Sequence, residues 1–340
     1  MIYADLLNVL NEVVDHSSIE QGFIVRNGFV FEAVTNPANV FDALVIRNPS
    51  DVHAWGGRRE ISARPLDEHI SLVNQLSLEK AVIIAEDLHF LSHCPSLKHL
   101  VVIPSDNADA FDFSPLYALP EIRSIICRTS YGRFDAKSVC MDYSRIHGLQ
   151  SLSVWSKNDL NYQQIQGLRT LEVSNNLSPD LYSIFCSHEL DTLSLTSCRI
   201  RSLAGISQSS RMQCLYLYYD RLLENIEDLK KVSSSLRALH IENCPKIQDF
   251  SVLSELGNLE HLFLKGSNKL ESLAFIKHLP KLKTLIFDME VLDGDLSPCL
   301  SLSYVHCGKM KKHYNIKSKD LPKNEYYHGN ENIELWRRSY

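Results

Sequence analysis

The sequence contains no pair of cysteines at C-x-x-C spacing, and its nine cysteines are odd in number and scattered. A disulfide framework or a cysteine-based zinc site needs paired spacing, so neither is expected. Fourteen histidines are present, but no H-x-x-x-H among them carries a third ligand at a suitable distance along the chain. His306 and Cys307 are neighbours on an expected strand and face opposite sides, which prevents them from sharing a metal. No G-x-S-x-G, P-loop or dinucleotide-binding glycine pattern occurs, so the commonest signatures of hydrolysis, nucleotide use and hydride transfer are missing. Asp293-Gly294-Asp295 pairs two carboxylates, but glycine between two aspartates marks a turn. We therefore expect no cofactor, no metal and no catalytic residue.

Long apolar runs are also missing, so no membrane-spanning helix is expected. Asp5, Glu12 and Asp15 interrupt the apolar residues at the start, and no basic stretch precedes them, so a secretory signal is not expected. With the cysteines read as reduced thiols, these features suit a cytoplasmic protein. A net charge of -6 argues against binding to nucleic acid or to an anionic membrane.

What the chain has in abundance is one phrase, repeated. Leu259-Glu260-His261-Leu262-Phe263-Leu264 reads L-x-x-L-x-L, and the same spacing recurs at Leu236-Arg237-Ala238-Leu239-His240-Ile241 and at Leu282-Lys283-Thr284-Leu285-Ile286-Phe287. First positions fall at Leu97, Ile122, Leu149, Leu168, Leu190, Met212, Leu236, Leu259, Leu282 and Leu302, mostly 22 to 25 residues apart. A period of this size marks a solenoid. Upstream of each strand, apolar residues recur every third position, as in Leu88, Leu91 and Cys94, or Phe250, Leu253 and Leu256. That spacing predicts a 3₁₀ turn, closed by Pro95, Pro120, Gly257 or Pro280. Position nine of each repeat (Asn176, Cys198, Asp220, Cys244, Ser267) is expected to turn inward and bond the backbone of the turn.

Carried by this repeated L-x-x-L-x-L-x-x-N/C pattern, the chain resembles the leucine-rich-repeat proteins, in the short class of about 22 residues found in bacterial internalins. The resemblance covers residues 78–307. It implies an α/β leucine-rich-repeat solenoid: a curved parallel β-sheet on the concave face, short 3₁₀ or helical turns on the convex face, and a cap at each end. We divide the chain into an N-terminal cap at 1–75, the repeat array at 76–307, and a C-terminal cap and tail at 308–340.

In the N-terminal cap, Leu6, Leu7, Leu10, Val13 and Val14 have helical spacing. Asn27-Gly28 suits a hairpin turn between two apolar runs. Residues 41–46 read as a degenerate first strand, and 51–65, with Trp55 and Arg59, as an irregular loop. In the C-terminal cap Tyr326, Tyr327, Leu335 and Trp336 are expected to lie over the last coil. The lysines at 309, 311, 312, 317, 319 and 323 read as a solvated face.

On the sheet, positions three, five and seven should point away from the core. That places Trp155, Glu172, Tyr216, Tyr218, His240, Glu242, His261, Phe263, Lys265 and Asp288 on the concave face. Trp155, Tyr216, Tyr218 and Phe263 are expected there as exposed aromatics flanked by mixed charge, which is the composition of protein-binding hot spots. The reading is of a monomeric, non-catalytic scaffold for another protein. The expected partner is a toxin or enzyme, basic enough to meet an acidic chain, and the role that of an intracellular bacterial inhibitor or immunity protein. The rival readings are an adaptor that positions an enzyme, and an enzyme with its site in the N-terminal cap around His53 and Trp55.

Overall fold

A computed structural model describes residues 66–85, 87–104, 111–127, 141–155, 159–160, 162–185 and 188–323, together with the backbone of three earlier strands. The expected first helix, the 51–65 loop with Trp55, and Tyr326, Tyr327, Leu335 and Trp336 lie outside the described residues. The chain divides into two compact units, residues 1–153 with 158–162 and 331–340, and residues 154–157 with 163–330.

In the first unit, β1 (Phe23–Arg26) and β2 (Phe29–Thr35) pair antiparallel across the expected hairpin. β2 pairs antiparallel with β3 (Phe41–Arg47), the strand read from the degenerate repeat. From β3 onward the pairing is parallel, through β4 (Lys80–Ala85), β5 (His99–Pro104), β6 (Ser124–Cys127) and the start of β7 (Ser151–Trp155). Between β3 and β4 the crossover is a true α-helix, α1 (Leu66–Gln75), which the repeat pattern does not announce. Its end is built by Ser77 at φ 51, with Ser77 N–H bonded to Asn74 O and Leu78 N–H to Val73 O. That pair of bonds satisfies two carbonyls that the helix would otherwise leave open.

The second unit repeats one coil. Its strands are β8 (Thr170–Ser174), β9 (Thr192–Thr196), β10 (Cys214–Tyr218), β11 (Ala238–Glu242), β12 (His261–Lys265), β13 (Thr284–Phe287) and β14 (Tyr304–Cys307). Each pairs in parallel with the next, and equivalent repeat positions stand opposite one another. The first, fourth and sixth positions face inward as the pattern requires: Leu236, Leu239, Ile241, Leu259, Leu262 and Leu264 are all fully buried. Opposite the strands run 3₁₀ turns such as Ser251–Glu255 and Ala274–His278. Their triplet ladder is buried too, from Leu203, Ile206 and Ser209 to Leu273, Ile276 and Leu279.

Position eight is a column of left-handed residues: Asn175, Ser197, Tyr219 and Asn243 at φ 54 to 57, then Gly266 at φ 138. The bend lets position nine turn into the core. Asn176, Cys198, Asp220 and Cys244 are buried there as expected. Ser267 is a correction: it is exposed, and Asn268 takes the inward slot instead, donating to Cys244 O at 3.1 Å and Ile247 O at 2.6 Å. Glycine at position eight permits a different backbone there, and the inward turn comes one residue later.

The last strand is closed by residues that the sequence pattern did not single out. Val305 N–H donates to Pro322 O at 2.9 Å, so part of the open edge of β14 is satisfied. Val291 N–H donates to the Tyr314 hydroxyl at 3.0 Å, and Tyr314 and Leu321 are buried against the final coil.

Asp220 occupies its inward slot at a cost. One carboxylate oxygen accepts Cys198 N–H at 2.7 Å, while the other is buried with no partner. Burial pushes this carboxyl up to about 7, opposed only partly by the Cys198 N–H. Because the folded state raises the pKa, the folded protein holds this proton where the unfolded chain has lost it. The associated stability is complete below about pH 4 and is lost as pH rises through about 7. Asp220→Asn should therefore stabilise the fold more at pH 8 than at pH 4, with a difference of up to roughly 4 kcal/mol from the size of the shift. Urea unfolding at the two pH values measures it, and an equal effect at both would contradict the buried, protonated carboxyl.

Leu262→Ala should cost about 2–5 kcal/mol through lost burial and the cavity left behind. Glu260→Ala, which breaks only surface pairs with Lys283 and Arg237, should cost less than about 1 kcal/mol. Equal losses in denaturant unfolding would contradict the inward assignment.

Candidate functional site

Strand register brings most of the expected site residues into two adjacent columns. Glu172, Ser194, Tyr216, His240, Phe263 and Ile286 stand opposite one another in sequence along the fifth position. Beside them, Ser174, Thr196, Tyr218, Glu242 and Lys265 form the seventh-position column. Asp288 continues it, its N–H bonded to Leu264 O. His261, the first residue of β12 and third position of its repeat, is half-buried, and burial lowers its imidazole pKa. Glu172 belongs to the same column as Tyr216, but one strand intervenes. The backbone of Trp155 ends β7, and its side chain lies outside the described residues.

The exposure expected for Tyr216 and Phe263 is not found. Tyr216 is 2% exposed, Phe263 1% and His240 0%. Side chains in these columns are large and stand one strand spacing apart, so their rings pack against one another. The His240 ring centroid is 4.4 Å from Phe263 and 4.6 Å from Tyr218, and Tyr216 and Tyr218 stack at 6.3 Å. Sequence alternation correctly says which side these residues face. It carries no information on how much of each ring its neighbours cover.

A polar chain runs through this cluster. The Tyr218 hydroxyl is 3.0 Å from His240 Nδ1, and His240 Nε2 is 3.1 Å from a Glu242 carboxylate oxygen. Lys265 Nζ lies 3.6 Å from the other oxygen of Glu242. A carboxylate only accepts, so Nε2 carries a hydrogen, and in the neutral ring, which burial favours, Nδ1 accepts from the tyrosine. Burial holds the His240 imidazole below its usual range, with the Glu242 contact opposing. Glu242 is held below the usual carboxylate range, first by the His240 hydrogen bond, with Lys265 adding to it. A neutral imidazole fixed at both nitrogens orients its neighbours, and it is too deeply buried to meet a substrate as a proton carrier.

Other candidate chemistries have little support in the geometry. Among the described residues no group of three or more His, Cys, Asp or Glu is placed to hold a metal. The described cysteines are free, and burial pushes the thiols of Cys198, Cys244 and Cys299 up to about 12, where they are poor nucleophiles. Gly294, between the two aspartates, sits at φ 70, as the turn reading requires. No helix among the described residues is long and apolar enough to cross a membrane.

Since Phe263 is part of a packed cluster, Phe263→Ala should destabilise the fold by about 3–5 kcal/mol, as for a core aromatic. Denaturant unfolding measures this, and a loss below about 1 kcal/mol would show that the ring is exposed after all.

No family model matches the sequence, and no curated protein matches it. Among solved structures, an internalin from Listeria monocytogenes aligns over 73% of this chain and 74% of its own, at 17% identity and a TM-score of 0.44. The complex of TLR13 with ssRNA13 aligns over 79% of this chain but only 44% of that one, at 17% identity and 0.48. A leucine-rich-repeat protein from Leptospira interrogans covers 79% of this chain and 67% of its own, at 16% and 0.43. The parallel strands in constant register, the inward leucine ladder, the inward-turning ninth position and the 3₁₀ turns make this chain a leucine-rich-repeat solenoid.

Proposed function

We propose that this protein is a non-catalytic scaffold that binds another protein on the sheet face opposite its leucine core. The observation that carries this reading is the packed row Tyr216–His240–Phe263, which holds the part-exposed Tyr218 through His240 and Lys265 through Glu242, with His261 and Asp288 on the neighbouring positions of the same face. Affinity rises when contact groups are ordered before the partner arrives, because their entropy is not lost on binding. A structural role alone would be served by an apolar row, and would not need Tyr218, His240, Glu242 and Lys265 linked in series. Compared with the sequence reading, the binding energy moves from Tyr216 and Phe263 to the residues they support. Glu172 and Trp155 would extend the contact along the sheet.

For the partner we infer a toxin or enzyme that the protein holds inactive within its own bacterial cell, in the cytoplasm. The net charge of -6 favours a basic partner.

The test uses the full chain as bait in a native lysate, then purified partner for affinity. Tyr218→Ala with Lys265→Ala should weaken capture about thirtyfold or more, as loss of a hot spot does, with circular dichroism unchanged. Lys277→Ala, exposed on the turn side, should leave capture as it was. Full retention of binding by the double variant overturns the face assignment. A captured partner whose activity is unaffected by a stoichiometric excess of this protein overturns the inhibitor reading.

A further inference from the structure

The left-handed column at position eight holds one residue that is costly there. Asn, Ser and Gly fill the equivalent slots at 175, 197, 243 and 266, and Tyr219 stands among them at φ 57. A bulky side chain in this region is uncommon, because its Cβ crowds the following carbonyl. Tyr219 does not repay the strain by packing inward: its side chain is among the large exposed apolar groups, at 44%.

Its surroundings have a consistent chemistry. Two positions on, Arg221 is exposed, and one coil earlier the same position is Arg199, also exposed. One coil earlier again it is Leu177, 60% exposed. Register between these coils is carried past the strands by Ser197 N–H to Tyr218 O at 2.8 Å and Arg199 N–H to Asn176 O at 2.8 Å, so Leu177 and Arg199 lie in one row; Arg221 follows on the next coil, where its own N–H turns back to Tyr219 O at 2.9 Å. Nearby, Glu224 is already engaged, 2.8 Å from Lys246 and 3.9 Å from Arg201. Arg199 and Arg221 make no ion pair among the described residues. The strip is thus locally basic on a chain whose net charge is -6.

We propose that Leu177, Arg199, Tyr219 and Arg221 form a docking strip on the lateral edge of the repeats for an acidic helical segment of a partner protein. Neighbouring coils are about 4.8 Å apart. Carboxylates four residues apart on a helix have their Cβ atoms roughly 5–6 Å apart, so one glutamate can meet each guanidinium. Tyr219 lies against the same segment as an aromatic anchor, and Leu177 receives an apolar residue at its end. Exposed Tyr and Arg are the residue types that dominate binding energy at interfaces. The strip adjoins the sheet face at Tyr218–Tyr219, but Arg199 and Arg221 are not among the contact residues proposed above, so reversing their charge tests the strip by itself.

The test is fluorescence anisotropy of the full chain with a labelled alanine-based helical peptide carrying Leu and two Glu at four-residue spacing, against its Gln counterpart. We expect the Glu peptide to bind at least tenfold more tightly than the Gln peptide and to weaken with salt. Arg199→Glu with Arg221→Glu should lower the affinity at least tenfold, while the same charge change at Lys277→Glu with Lys312→Glu should leave it within twofold. Tyr219→Asn should weaken binding several-fold and raise the thermal midpoint, separating a loss of contact from a loss of fold. Equal binding of the two peptides, no binding of either, or an equal loss in the two charge-reversed pairs would overturn the proposal.

Discussion

The hydrogen-bond ladder between successive coils is the constraint on which the rest of this structure depends. It begins before each strand, where a single carbonyl accepts two amides from the next coil. Arg237 O accepts Glu260 N–H at 2.7 Å and His261 N–H at 3.0 Å, and Glu260 O accepts Lys283 and Thr284 N–H at 2.9 and 3.1 Å. The same doubled acceptor recurs at Lys98, Arg123, Arg169, Asp191, Gln213 and Lys283. Beyond the strands of the second unit, the position-eight amides continue the ladder, with Asn175, Ser197, Tyr219 and Asn243 each donating to the next coil at 2.8 to 2.9 Å. A strand slipped by one residue would lose this pattern and turn its leucines to solvent. Register is thereby held at both ends of each strand, and the core leucines follow from it.

The same ladder builds the candidate site. Constant register stacks like positions, so a choice of large side chains at the fifth and seventh positions of three neighbouring coils becomes a packed cluster. Tyr218, the His240–Glu242 pair and Lys265 come from three successive coils and meet because β10, β11 and β12 keep their alignment. On the lateral edge successive coils expose Arg199 and Arg221. The functional surface of such a fold is a property of columns, and one substitution is read by its neighbours in the adjoining coils.

Much of this architecture is legible in the amino-acid sequence alone. Leucine spacing marks the inward positions, triplet spacing marks the 3₁₀ turns, and Asn27-Gly28 marks the first hairpin. Three features are not legible there, for physical reasons. Gly266 lets the inward residue fall one place later, at Asn268, which a fixed template assigns to Ser267. The helix Leu66–Gln75 interrupts the strand-and-turn rhythm between two parallel strands, and the repeat period says nothing of it. The burial of Tyr216, His240 and Phe263 depends on rings on neighbouring coils closing over one another. For the site itself, alternation along the strands identifies the right columns and misjudges which members are accessible. Tyr219 is detectable by aligning position eight, where its neighbours are Asn, Ser and Gly and it is the one bulky side chain.

Native-state hydrogen exchange of the position-eight amides tests the central claim most directly, because these bonds lie outside the regular strands and exist only if neighbouring coils are in the register described. The account predicts that Asn175, Ser197, Tyr219 and Asn243 are protected to the same degree as strand amides such as Leu193 and Leu215, and exchange only with opening of the coils themselves. Exchange at the rate of exposed turn amides, with the strands still protected, would contradict it.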